Sequence, residues 1–234
     1  MISVVHPSKG RPQRARKSYD VLKSRATAPF EYIISLHDDD PKLDQYLELF
    51  KGVKMNVGSA RSLCDNAQKG LKDAHGDILM IFSDDFEAMP PGWDQSINRV
   101  TKGKEFFNLK VYDGIHKWIC TIPIVDRKLY EFLGHIYNPE YRHMFADTEL
   151  SAIGDLLQVT LYHNEIKFQH NQFTLKNNPD EINHFNNSFW ERDQKVYLER
   201  YQRNFDIPKE MIKGKIKDAA HVAWAEKQLR SINK

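Results

Sequence analysis

The sequence predicts an α/β fold, a mostly parallel sheet flanked by helices, with a helical extension at the C-terminus. Two observations lead there. Short apolar or β-branched runs at 2–5, 30–36, 53–57 and 78–82 alternate with helical stretches, and such repeats pair as parallel strands through right-handed crossovers. The last run, Ile78-Leu79-Met80-Ile81-Phe82, is unbroken, as in a strand buried on both faces, and stops abruptly at Ser83-Asp84-Asp85.

The carboxyl end of a central strand is where open α/β sheets bind ligands. Two neighbouring carboxylates there have two readings, an ordinary acidic turn or a site whose charge a divalent cation compensates. Side chains diverge at a strand end, so one Asp can face a crevice while the other braces the loop.

Taken in order, the first strand (2–5) ends in His6-Pro7-Ser8-Lys9-Gly10-Arg11-Pro12, a turn followed by a basic helix over 11–24. Free amides at that helix start would suit phosphate; a solvated basic helix is the alternative. The strand at 30–36 ends in His37-Asp38-Asp39-Asp40-Pro41. We read Asp40 as the cap of a helix over 42–50, with Pro41 at its first position, and Asp38 or Asp39 as a ligand to a base or ribose. After the strand at 53–57, Ala60, Leu63, Cys64, Ala67, Leu71 and Ala74 recur at helical spacing, with Ser59 as cap and Arg61 in the first turn. Arg61 reads equally as a surface residue or as a contact to a diphosphate.

Beyond Trp93 the pattern gives a helix (94–101), strands at 105–111 and 117–125, a short helix (126–133) and an aromatic-rich loop (134–142). Asp147 and Glu149 fall in the first turn of the next helix, where the dipole favours carboxylates and a general base can be held. The runs at 159–163 and 166–170 read as a hairpin turning at Asn164-Glu165. His170, in Phe-Gln-His-Asn, is a structural residue or a metal ligand. An Asn-rich loop or lid (174–187) and charged, aromatic helices over 188–204 and 208–232 complete the chain. We divide it into a domain over 1–187 and an extension over 188–234.

With 234 residues, 41% hydrophobic and 28% charged, the chain can bury a sizeable core. No apolar run nears the ~20 residues of a membrane span. Met1 leads directly into the first strand with no signal-peptide pattern, and Cys64 and Cys120 form no disulfide or metal pattern, so we expect a cytoplasmic protein. A net charge of +2 permits a phosphorylated partner without demanding one. Neither Gly-x-Gly-x-x-Gly after the first strand nor a Walker A motif occurs, which argues against dehydrogenases and P-loop enzymes.

The order of several fragments resembles the GT-A glycosyltransferases, in particular the family-2-like group. These are Ser3-Val4-Val5-His6-Pro7, Asn56-Val57-Gly58, Gly70-Leu71 through Ala74-His75-Gly76-Asp77, Ser83-Asp84-Asp85, Pro90-Pro91-Gly92-Trp93 and Asp147-Thr148-Glu149-Leu150. The resemblance covers residues 2–170 and implies a Rossmann-like nucleotide-diphospho-sugar transferase. It places Pro7, Lys9, Arg11 and Asp84 at the nucleotide, with Asp38 or Asp39 near its base or ribose, and Asp85 and His170 at Mn²⁺ or Mg²⁺; Arg61 joins the nucleotide set on the diphosphate reading above. Asp147 would be the acceptor-activating base, with Glu149 in reserve. Ser83 stands where the family motif has its first Asp, which leaves direct coordination by Asp84 open.

The implied donor is a nucleotide sugar, UDP-linked in the first instance. The implied acceptor is a hydroxyl on a glycan, a lipid-linked sugar, a protein or a modified DNA base, the last as in phage-type enzymes. Tyr112, His116, Trp118, Tyr137, Tyr141, His143 and Phe145 would form its aromatic cleft. The rival classes are a nucleotidyltransferase and a non-catalytic sugar- or nucleic-acid-binding module.

Overall fold

The computed structural model describes residues 1–171 and 181–232. An eight-stranded sheet runs in the order β3-β2-β1-β4-β7-β6-β8-β5. Its strands are β1 (Ile2–Ser8), β2 (Glu31–His37), β3 (Lys54–Gly58), β4 (Ile78–Ile81), β5 (Phe86–Met89), β6 (Asn108–Tyr112), β7 (Ile124–Asp126) and β8 (Thr160–His170). The half β3-β2-β1-β4 is all parallel and is connected by α1 (Pro12–Ser24), α2 (Leu43–Leu49) and α3 (Leu63–Lys72). The other half is mixed: β7 and β5 run antiparallel to their neighbours, while β6 and β8 are parallel to each other. Around it lie α4 (Trp93–Thr101), α5 (Arg127–Leu133), α6 (Ala146–Leu157), α7 (Glu181–Asn187), α8 (Trp190–Gln202) and α9 (Ala219–Ile232).

Alternate residues of the inner strands feed two cores, as a pleated strand covered on both faces requires. Val4, Ile34 and Met80 pack beneath α1, α2 and α4 with Leu22, Tyr46, Phe50 and Trp93. Val5, Ile33 and Leu79 pack against Cys64, Leu71, Leu150 and Ile153 on the opposite face. That second core also takes in Tyr197, Leu198, Phe205, Ile207 and Ala225, so the helices after residue 187 share the core that α6 lines. Gly70 lets α3 lie directly on β1: a Cβ there would stand 2.6 Å from Val5 Cγ1. No helix among the described residues is long and apolar enough to cross a membrane.

Several expected elements differ. The 159–170 hairpin is one strand, β8, which pairs with β6 in its first half and with β5 in its second. Asn164-Glu165 marks an irregularity, since Val111 pairs with His163 but Tyr112 with Lys167. Phe86–Met89, for which the sequence suggests no element, is the edge strand β5. Ser18 Oγ donates to Phe86 O (2.9 Å) and Arg25 to Ala88 O, covering the edge. Of the strand expected at 117–125 only Ile124–Asp126 forms. The cap of α3 is Ser62, whose hydroxyl accepts from Asp65 N (3.1 Å), so Arg61 precedes the helix. Within the 174–187 loop, 181–187 is helical and 174–180 lies outside the described residues.

Candidate active site

The carboxyl ends of β1, β2 and β4 open into a cleft of about 580 Å³. Pro7, Lys9, Arg11, Asp39, Arg61, Asp84, Asp85, Asp147 and His170 all line it. Asp38 and Glu149 do not.

The turn after β1 holds its own amides. Gly10, at φ +73°, donates its N–H to Asp40 Oδ2 (2.6 Å), and Arg11 N–H goes to the Tyr46 hydroxyl (2.9 Å). Those two amides of the turn are thereby taken, and positive charge reaches the cleft through the Lys9 and Arg11 side chains. Lys9 Nζ is 2.7 Å from Asp39 Oδ1. Asp40 Oδ1 accepts from Lys42 N (2.8 Å) in the turn ahead of the helix, but the helix starts at Leu43 with Lys42 as its N-cap and no side-chain cap bond, so the expected Asp40 cap, with Pro41 at the first position, does not form. Asp38 is exposed. Arg61 lies at the rim and is bound to Asp65 by two hydrogen bonds of 2.6 and 3.0 Å.

The two carboxylates after β4 divide as their divergence predicts. Asp84 Oδ1 accepts from Ser8 Oγ (2.8 Å) and lies 2.9 Å from His6 Nε2. His6 is fully buried, with Nδ1 2.6 Å from the Tyr32 hydroxyl. Asp84 thus ties β4 to β1. Asp85 faces His170, with Oδ2 3.5 Å from Nε2, and Ser83 Oγ donates to Asp85 Oδ1 (2.6 Å). Burial pushes the Asp85 carboxyl up, but His170, the Ser83 hydroxyl and the charge of Arg11 outweigh it and hold the group well below the usual range. Ser83, the departure from the family motif, therefore orients Asp85.

His170 ends β8 opposite Phe86, the two rings 4.3 Å apart. Behind it lies Asp113, a residue the sequence reading passed over. Asp113 is fully buried and accepts from Ile115 N (3.0 Å), His116 N (2.8 Å) and Thr121 Oγ1 (2.7 Å), with His116 Nδ1 at 2.8 Å. Asp113, His116 and His170 present ligand-type atoms within 4.8 Å of one another, the group with metal-ligand spacing among the described residues. The available signal was Tyr112-Asp113-Gly114, an Asp at a turn beside His116.

Asp147 sits in the first turn of α6, with Oδ1 accepting from Thr148 N (2.8 Å). Glu149, two residues on and so on the opposite side of the helix, is buried away from the cleft, where Arg200 Nε and Nη2 (2.7 and 2.9 Å) and the Tyr141 hydroxyl (2.6 Å) donate to it. Its expected role as reserve base has no path to the cleft. His143 also lines the cleft; burial lowers its pKa while the nearby Asp147 and Asp85 raise it, and burial prevails, favouring the neutral ring.

Of the expected acceptor aromatics, Tyr137, His143 and Phe145 line the cleft. Tyr112, His116, Trp118 and Tyr141 do not, and Tyr141 is wholly buried. Phe185, Phe189 and Trp190, from α7 and the start of α8, complete the wall. The sequence placed them in loop or extension because nothing local ties them to the sheet.

This architecture is the GT-A fold of nucleotide-sugar glycosyltransferases. Solved structures resemble it at low identity. A mannosyltransferase from Pyrobaculum calidifontis, in complex with GDP-Man and Mn²⁺, matches with TM-score 0.63 and 10% identity over 89% of this chain and 65% of that one. TarS from S. aureus matches with TM-score 0.57 and 11% identity over 71% of this chain and 36% of its own. Glucosyl-3-phosphoglycerate synthase from Mycobacterium tuberculosis, with Mn²⁺, UDP and phosphoglyceric acid, gives 0.54 and 12% over 76% and 72%. The chain therefore spans about a third of TarS and two thirds of the mannosyltransferase. No protein-family model matches the sequence, and no curated protein does.

Proposed function

We propose that the protein is a metal-dependent glycosyltransferase that moves a sugar from a nucleotide-diphosphate donor, a UDP-sugar in the first instance, to an acceptor hydroxyl. The observation that carries this reading is the meeting of Asp85, His170 and Asp147 in one cleft at the carboxyl ends of a GT-A sheet. Asp85 and His170 fit Mn²⁺ or Mg²⁺: an ionised carboxylate and one imidazole nitrogen leave room for phosphate oxygens as further ligands. When bound, the ion supplies neutralisation of the leaving diphosphate.

The chain's own groups do the rest. Lys9, Arg11 and Arg61 bring positive charge to the diphosphate side, and Asp39 offers an acceptor to the ribose or base. Asp84 keeps β4 in place beside β1 and so holds Asp85 in the crevice. Asp147 takes the proton of the attacking hydroxyl. The rings of Tyr137, Phe145, Phe185 and Trp190 give the acceptor a stacking wall, suited to a sugar ring of a glycan or to a hydroxylated base.

Calorimetric titration with UDP, with and without Mn²⁺, together with hydrolysis of a nucleotide-sugar panel, tests the reading. Mn²⁺-dependent UDP binding is expected in the native protein and is lost in Asp85→Asn. Asp147→Asn should keep that binding while transfer falls by ~10²–10⁴-fold. Equal UDP affinity with and without metal, unchanged in Asp85→Asn, overturns it.

A further inference from the structure

His170 stands between two carboxylates. Its Nε2 is 3.5 Å from Asp85 Oδ2, and its Nδ1, buried and without a hydrogen-bond partner, is 4.0 Å from Asp113 Oδ2. The backbone fixes this order: His170 N–H donates to Asp113 O (3.1 Å), and Asn171 N–H to Asp85 O (2.8 Å). The backbones of both residues are therefore tied to the end of β8, and the Phe86 ring lies tilted against the imidazole with centroids 4.3 Å apart.

The nearness of Asp113, His116 and His170 allows two arrangements. Either the three bind a cation directly, or Asp113 acts on His170 from behind. The donors around Asp113 decide between them. Each oxygen already has two polar partners, Ile115 N and His116 N at Oδ1 and Thr121 Oγ1 and His116 Nδ1 at Oδ2. A carboxylate has about four lone-pair sites, so direct coordination would break contacts that hold a fully buried group. Its negative charge remains, and it acts on the nearest unpartnered polar atom, His170 Nδ1. A metal-binding imidazole needs its other nitrogen protonated and its ring placed; the Asp113 charge 4.0 Å behind the ring favours that proton, and the His170 N–H bond to Asp113 O fixes the backbone that carries the ring.

We propose that Asp113 is a positioning residue for His170: it keeps the imidazole proton on Nδ1, so that bare Nε2 faces Asp85, while Asp113 and His116 take no cation themselves. This rests on the metal-dependent reading above.

The test uses the full chain labelled with ¹⁵N-histidine, with UDP and diamagnetic Mg²⁺, and two-bond ¹⁵N–¹H correlation to assign the His170 tautomer. The Nδ1–H form is expected. In parallel, Mn²⁺ titration followed by electron paramagnetic resonance should show ~10–100-fold weaker binding in Asp113→Asn. Pulsed measurements on bound Mn²⁺ should show one coordinated imidazole, unchanged in His116→Gln. An Nε2–H tautomer, two coordinated imidazoles, or Mn²⁺ affinity in a folded Asp113→Asn within twofold of native overturns the proposal. Should Asp113→Asn fail to fold, the tautomer and the imidazole count in the native protein still decide. Absence of any Mn²⁺ binding with UDP would instead sink the glycosyltransferase reading, so the two failures are distinct.

Discussion

Arg200→Met removes the cation that holds α8 to the first turn of α6. Arg200 meets Glu149 through two hydrogen bonds of 2.7 and 2.9 Å, with the two side chains 4% and 2% exposed. The same guanidinium reaches Asp206 (2.8 Å) and Glu140 (3.1 Å) at the surface. The substitution leaves the Glu149 carboxylate buried with only the Tyr141 hydroxyl, and breaking a buried pair from one side costs ~3–5 kcal/mol. For a chain of this size that lowers Tm by about 6–20 °C. Pairing it with Glu149→Leu removes the stranded charge and should recover more than half of the loss. The effect must also depend on pH. Burial already pushes the Glu149 carboxyl up, with Arg200 and Tyr141 opposing, and losing Arg200 raises it further. A group whose pKa is higher folded than unfolded stabilises below its unfolded value, here 4.5, and that contribution disappears as pH rises. The penalty should therefore be smallest near pH 4 and grow toward neutrality. Urea unfolding followed by circular dichroism at several pH values measures it. A single-variant penalty below ~1 kcal/mol at pH 7.5, or one flat with pH and equal in the double variant, would refute the argument.

Two further changes test the sheet and its packing. Glu31 receives the His75 N–H (2.7 Å), the Ser3 hydroxyl (2.5 Å) and Lys54 Nζ (2.9 Å). Burial raises its pKa, but these donors and the His75 ring outweigh it and hold the group at about 2. Its stabilising effect is present above the unfolded value and lost as pH falls through about 2. Glu31→Gln should thus cost of order 1 kcal/mol at pH 7 and close on the native protein in acid-unfolding curves; a gap constant with pH counts against this account. Gly70→Ala gains ~1 kcal/mol of helix propensity but drives a Cβ to 2.6 Å from Val5 and 3.0 Å from Ser35 Cβ. Overpacking at ~1–3 kcal/mol should prevail, and a variant more stable in urea would show that α3 can shift away freely.

The parallel half of the sheet was legible because β1, β2 and β4 are centred on short apolar runs closed by polar residues, with helical stretches between them. Asp85 and Asp147 were legible for the same reason: one follows an apolar run, the other opens a helix. The mixed half was not. β5 is only four residues long and carries a charge, and β8 changes partner midway, so its alternating second half, Ile166 to His170, reads as one arm of a hairpin. Asp113 was hidden because its meaning depends on β6 and β8 lying side by side, which no local pattern encodes. Glu149 looked equivalent to Asp147 at two residues' distance; only the helix turn and the arrival of Arg200 from fifty-one residues away separate them.

Charged residues on a mixed Lys/Glu helix ordinarily read as a solvated face, and α8 shows how that reading can fail. Asp193 and Arg200 are seven residues apart, two helical turns, so they share a face. Both are buried, and both grip the start of α6. Asp193 accepts backbone N–H groups from Arg142 (3.1 Å), His143 (2.8 Å) and Met144 (2.9 Å), successive amides that cup one anion. Phe145 follows at φ +65°, stacked on Trp224 of α9 with centroids 5.7 Å apart. The cleft wall at 142–145 and the first turn bearing Asp147 are thereby held between Asp193 on one side and the Arg200–Glu149 pair on the other. Asp147 and the carboxylate of Asp85 reach the cleft from different halves of the sheet, so their separation depends on where α6 begins. The C-terminal helices set that point, through two buried charges that no stretch of sequence near Asp147 could reveal.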